Sequence, residues 1–145
     1  METRKEFSKP LAEIKSLSRV WQEKLLIVDD ENMLTDLIAA ILEDEGDVET
    51  AANGEEGLKK IGEKYFAAIV TDVDMPVMNG IEFYKKAVEM YPNIKDRFLF
   101  FTGFPDKERI AFFRENNLKY LPKPSSIDDI KRTVINIIER SMKPS

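Results

Sequence analysis

The chain has 145 residues, with 22 basic and 27 acidic side chains and a formal net charge of −5. This is the length of one ordinary domain, long enough to bury about two-thirds of its unfolded surface without disulfide or metal. It holds neither cysteine nor histidine, which excludes thiolate chemistry, Cys- or His-ligated zinc, a Ser-His-Asp triad and a phosphohistidine on the chain itself.

Residues 1–24 carry six basic and four acidic groups, net +2, and the rest of the chain carries net −7. So acidic a body is a poor non-specific binder of nucleic acid, whose affinity rests on phosphate contacts. There is no signal-peptide core and no apolar run near the roughly 20 residues that span a bilayer. A cytoplasmic protein that binds neither DNA nor membrane is expected.

Residues 1–23 stand apart as an N-terminal extension or linker. Phe7, Leu11, Ile14, Leu17 and Trp21 recur at spacings of three and four, which predicts an amphipathic helix after Pro10. The second unit, 24–145, alternates short apolar runs with helical patterns. The first strand is predicted at Leu25-Leu26-Ile27-Val28. A helical stripe of Leu34, Leu37, Ile38, Ile41 and Leu42 follows and is ended by Gly46. Val48 to Ala51 is a second, more mixed strand, and a helix from about Glu55 to Lys64 turns Leu58 and Ile61 inward. Ala67 to Val70 is the third strand; the helix after it carries Ile81, Phe83, Tyr84, Ala87 and Val88 and stops before Pro92.

The fourth strand is Phe98 to Phe101, followed by a helix over about Asp106 to Glu115 with Ile110 and Phe113 inward. The fifth is Leu118 to Leu121, also mixed. The last helix carries Ile127, Ile130, Val134, Ile137 and Ile138, with Ser125 or Ser126 placed to cap it. Three strands are apolar without alternation, as parallel strands covered on both faces require. Five β–α units in succession predict an α/β doubly wound parallel sheet. Ligands of such sheets bind beyond the carboxyl ends of the strands.

The chemistry-bearing residues fall at those ends. Asp29, Asp30 and Glu31 follow the first strand, Asp72 and Asp74 the third, Thr102 and Gly103 the fourth, and Lys123-Pro124 the fifth. Three gathered carboxylates repel one another and raise at least one pKa unless a cation joins them. Mg²⁺ is the apt cation, because it binds through few carboxylates and keeps waters that a phosphate can replace; Mn²⁺ is a substitute. A carboxylate nucleophile beside a metal, a lysine and a hydroxyl is what phosphoryl transfer needs.

Asp72-Val-Asp-Met-Pro-Val-Met-Asn-Gly80 resembles the D-x-x-M-P-x-M-x-G segment of receiver domains in two-component response regulators. Val28-Asp-Asp-Glu31, Thr102-Gly103 and Tyr120-Leu-Pro-Lys-Pro124 supply the remaining features in order, and the resemblance spans 24 to about 142. It implies a flavodoxin-like sheet of order 2-1-3-4-5 with five helices. It further implies that Asp72 accepts a phosphoryl group from a histidine kinase or histidine phosphotransfer protein. Asp30 and Asp72 would ligate Mg²⁺ directly, Asp74 through its backbone carbonyl and Asp29 through water.

Lys123 would pair with the phosphoryl group, across a cis Lys123–Pro124 bond. Thr102 and Tyr120 would be the switch pair, signalling on the face of the fourth helix, fifth strand and fifth helix to a downstream protein target. Asp74 and Phe104 would tune the lifetime of the phosphorylated state, with Phe104 shielding it from water. The chain's own chemistry would be limited to its phosphorylation and dephosphorylation, so it is not otherwise an enzyme. With one helix left after Lys123-Pro124, no effector domain is expected at the C-terminus. The chain then reads as a stand-alone regulator or a receiver cut from a larger protein such as a hybrid kinase. Oligomeric state is open.

Two other readings exist. Asp72-Val-Asp74 also resembles the D-x-D pair of haloacid dehalogenase-like Mg²⁺-dependent phosphatases, but here the acidic pair precedes it and Met-Pro follows it. A phosphorylation-independent binding module would normally lack one of the acids, the threonine or the lysine, and all are present.

Overall fold

The computed structural model describes residues 23–31, 36, 38, 39, 42, 46–103 and 106–142. The helix expected after Pro10, the stripe positions Leu34, Leu37 and Ile41, and Phe104 lie outside the described residues. Strand β1 is Lys24–Val28, β2 Asp47–Ala51, β3 Ala68–Asp72, β4 Phe98–Thr102 and β5 Lys119–Pro122. Asp36, Ile38, Ala39 and Leu42 belong to helix α1 between β1 and β2. Helix α2 is Gly54–Glu63, α3 Gly80–Met90, α4 Lys107–Glu115 and α5 Ile127–Met142. All strands run parallel in the order β2-β1-β3-β4-β5, the doubly wound sheet that the alternation predicts.

The uninterrupted apolar runs are explained by two helical layers. Alternate residues point to opposite faces of a strand. Leu25, Ile27, Ala68, Val70, Leu99 and Phe101 face Ile38 and Leu42 of α1 and Ile130, Val134, Ile137 and Ile138 of α5. Leu26, Val28, Ile69, Phe98 and Phe100 face Ile61 of α2, Phe83, Tyr84 and Ala87 of α3, and Phe113 of α4. Each large central side chain contributes about 1.5–3 kcal/mol by leaving water. The mixed sequences of β2 and β5 follow from their place at the edges, where most of their residues are only half-buried or exposed.

The helix ends follow local chemistry. Asn53 caps α2, Asn79 and Glu82 form a reciprocal box on α3, and Asp106 caps α4. Of the two serines considered for α5, Ser126 is the cap, accepting from the Asp129 amide at 3.0 Å. Ser125 instead donates to the Pro122 carbonyl. Helix α4 ends on Asn117 at φ 55, with Leu118 N–H on the Phe113 carbonyl and Asn117 N–H on that of Arg114, a Schellman closure that a left-handed asparagine supplies.

One sequence expectation needs correction. Ile127 is 54% exposed, because it occupies the first position of α5, before the helix settles onto the sheet. The segment after Pro92 is a 3₁₀ helix, Pro92–Arg97, that buries Ile94 against the α3 layer. No described helix is long and apolar enough to cross a membrane.

Candidate functional site

Four strand ends converge. Asp29 directly follows β1, Asp72 is the last residue of β3, Thr102 the last of β4, and Lys123 follows β5. Backbone bonds fix these ends to one another. Asp29 N–H donates to the Ala51 carbonyl at 3.0 Å, Val73 N–H to Phe101 at 3.0 Å, and Lys123 N–H to Thr102 at 2.9 Å. The site therefore inherits the rigidity of the sheet rather than that of a loop.

Asp29, Asp30 and Asp72 each bring a carboxylate oxygen within 4.8 Å of the other two. Asp29 and Asp72 are buried and Asp30 is exposed. Lys123 Nζ lies 3.0 Å from Asp72 Oδ2 and 3.9 Å from Asp29 Oδ2. The Glu31 amide donates to Asp29 Oδ1 at 2.9 Å, and the Asp74 amide approaches Asp72 Oδ1 at 3.4 Å.

Burial is the first cause of the electrostatics, and mutual repulsion comes behind it. Loss of solvent pushes the Asp29 carboxyl up to about 6, with the Asp72 charge adding to the rise. Burial also raises Asp72, against the pull of Lys123 downward. One lysine is thus short compensation for two buried acids. Three converging oxygens, two of them buried and raised, fit a hard divalent cation such as Mg²⁺. Asp29, Asp30 and Asp72 are the residues that would hold it.

The raised Asp29 has a consequence for stability. Between pH 3.8 and about 6 the folded chain keeps a proton that the unfolded chain has released. Stability of the metal-free protein therefore falls as pH rises through that window. Asp29→Asn should add about 3 kcal/mol at pH 7, the cost of holding ionised a carboxyl raised from 3.8 to about 6 at about 1.4 kcal/mol per pKa unit, and nothing near pH 4. The amide oxygen can still accept from Glu31, while Mg²⁺ binding weakens. Urea unfolding at both pH values with chelator checks this, and an equal gain at the two pH values contradicts it.

The loop after β3 is held by a close approach. Gly80 N–H donates to the Val73 carbonyl at 2.9 Å, and a Cβ on Gly80 would stand 2.2 Å from the Asp72 carbonyl oxygen. Glycine is needed here for contact, because a side chain would force α3 away from the acceptor strand. Gly80→Ala should cost about 3 kcal/mol and roughly 10 °C in melting temperature. A thermal melt within 2 °C of wild type, a margin that corresponds to roughly 0.5 kcal/mol, would show that the approach is loose. Between them, Met78 N–H donates to Pro76 across Val77 at φ 69, a three-residue turn.

The remaining predicted residues are placed as follows. Lys123–Pro124 is cis, as the resemblance implies. Thr102 is fully buried. Tyr120 is half-buried on edge strand β5, its ring stacked on Phe113 at 4.8 Å between centroids. Asp74 is exposed at the rim and takes a forked ion pair from Arg109, whose Nη1 lies 3.1 Å from Asp74 Oδ2. Arg109 Nη1 also donates to Thr102 Oγ1 at 3.3 Å. Sequence reasoning missed Arg109: an arginine on the first turn of a helix reads as solvated, and the pairing exists only once two strand ends are aligned.

Comparison with known proteins finds relatives in family and in fold. A family model described as "Response regulator receiver domain" matches residues 25–135. The "Transcriptional regulatory protein CpxR homolog" of Haemophilus influenzae is 39% identical over 123 residues, covering 84% of this chain and 53% of its own length. The "Response regulator receiver protein CpdR" of Brucella abortus is 29% identical over 127 residues, covering 83% of this chain and 97% of its own. The crystal structure of a CheY-like receiver domain protein from Methanospirillum hungatei superposes with a TM-score of 0.75 at 30% identity, over 82% of this chain and 95% of that one. The chain spans about half the length of several of the curated relatives it matches.

Proposed function

The chain belongs to the response regulator receiver family of two-component signalling, and we propose that it is a switch thrown by phosphorylation of Asp72. The donor is a phosphohistidine on a histidine kinase or histidine phosphotransfer protein. The observation that carries this reading is the buried Asp72 carboxylate, 3.0 Å from Lys123 and gathered with Asp29 and Asp30 at the carboxyl ends of the strands.

An Asp72 oxygen forms a bond to phosphorus as the phosphorus–nitrogen bond of the donor breaks, and the imidazole leaves with that electron pair. Negative charge thereby moves from the carboxylate to the phosphoryl oxygens. Lys123, already paired with Asp72, follows that charge as a compact cation. Thr102 donates its hydroxyl to a phosphoryl oxygen. Asp29, Asp30 and Asp72 would hold Mg²⁺, which would neutralise the carboxylates and the charge on the phosphoryl oxygens.

The signal leaves through aromatic contacts. Tyr120 stacks on Phe113 of α4, so movement of Thr102 and Tyr120 is felt on the α4-β5-α5 surface, where a protein target docks. Such a response needs two packings close in free energy, biased by the phosphoryl contacts. The chain acts in the cytoplasm, with no turnover of outside substrates. Membership of the receiver family favours this reading over a phosphatase built on Asp72 and Asp74. Incubation with acetyl phosphate and Mg²⁺ should raise the intact mass by one phosphoryl group, prevented by chelator and removed by hydroxylamine, which cleaves acyl phosphates. An unchanged mass overturns the proposal.

A further inference from the structure

Arg109 joins three elements that must change together if the switch works. Its own amide donates to the Asp106 carboxylate at 2.9 Å, which fixes its backbone at the start of α4. Its guanidinium is forked on Asp74 in the loop after β3. The same Nη1 donates to the hydroxyl of Thr102 at the end of β4, 3.3 Å away. A guanidinium has donors only, so in this contact Thr102 Oγ1 is the acceptor. Thr102 is fully buried and the Arg109 side chain is 23% exposed, so solvent does little to weaken the bond.

We propose that Arg109 is a positioning residue that restrains Thr102 in the resting state and couples release of Thr102 to release of α4. The proposal rests on the phosphorylation reading above. To donate to a phosphoryl oxygen on Asp72, Thr102 Oγ1 must turn about its side-chain bond. Arg109 cannot follow freely, because Asp106 holds its backbone and Asp74 holds its fork. Turning therefore stretches or breaks the 3.3 Å bond, and the arginine, still forked on Asp74, no longer ties the first turn of α4 to β4 through Thr102. The tether sets a threshold for the switch, and its loss lowers that threshold.

Arg109→Ala should speed phosphorylation by acetyl phosphate with Mg²⁺ about tenfold, the lower end of what one hydrogen bond from a charged donor contributes. In the Thr102→Ala background the same substitution should change the rate by less than twofold, because the restrained hydroxyl is gone. An effect that survives in that background is one of charge, and it overturns the proposal. So does an unchanged or slower rate in Arg109→Ala, the latter being the mark of a cation that serves the phosphoryl group directly.

A readout free of phosphorylation accompanies the rates. In the metal-free protein, Arg109→Ala should move the Thr102 methyl and Tyr120 ring resonances toward their positions in wild type bound to beryllofluoride and Mg²⁺. Unmoved resonances count against the tether. Wild type that takes up no phosphoryl group defeats the underlying reading instead, so the two failures are told apart.

Discussion

Asp72→Asn takes up no phosphoryl group from acetyl phosphate under conditions that phosphorylate wild type to completion. The amide nitrogen and oxygen of asparagine are poor nucleophiles, and no other acid of the cluster has the same setting. Asp30 is exposed, and Asp29 stands 3.9 Å from Lys123 where Asp72 stands 3.0 Å. The substitution also takes one of three carboxylates from the metal cluster, so Mg²⁺ binds at least tenfold more weakly, about 1.4 kcal/mol. Removing the Asp72 charge also removes one of the causes that raise Asp29, whose carboxyl therefore titrates lower. Intact mass and a Mg²⁺ titration check both parts. Uptake at the wild-type rate would place the acceptor elsewhere.

Lys123→Met separates the roles of lysine and metal. Lysine is the cation that meets charge arriving on the phosphoryl oxygens, and loss of one such electrostatic partner costs about 10²–10³ in rate. At rest the same lysine neutralises Asp72 and, at longer range, Asp29. Methionine fills the volume of the chain without the charge, so two buried carboxylates lose the cation they share. Mg²⁺, no longer competing with an ammonium group, then binds as tightly as in wild type or tighter. Phosphorylation slowed a hundredfold with undiminished Mg²⁺ affinity is the expected pattern. A loss of both together would mean that Lys123 shapes the acidic cluster rather than serving the transferred group.

The sheet was legible in the sequence because β1, β3 and β4 are buried on both faces, and burial on both faces writes itself as an unbroken apolar run. Strands β2 and β5 read less clearly for the converse reason: an edge strand needs fewer apolar positions. The carboxylates, Thr102 and Lys123 were legible because they sit at strand ends, where the topology of a parallel sheet gathers them.

The cause of the acid pKa values was not legible. Repulsion can be guessed from adjacent aspartates, but burial of Asp29 and Asp72 depends on how deep the strand ends lie. Arg109 was invisible for a related reason, since its partners Asp74 and Thr102 lie 35 and seven residues away in sequence and on different elements. The exposure of Ile127 departs from a helical stripe whose other members, Ile130, Val134, Ile137 and Ile138, are all buried. Periodicity names a face but does not say where along the helix contact begins.

Both margins of the sheet carry features that discourage intermolecular strand addition. At one side β2 presents Asp47 and Glu49, tied to Lys24, Lys60 and Lys64. At the other, β5 has only four residues and ends in Pro122, which offers no amide hydrogen. Short, charged or proline-ended borders resist aggregation by growth of a continuous sheet. Association of folded copies by pairing at these two sheet edges is therefore disfavoured.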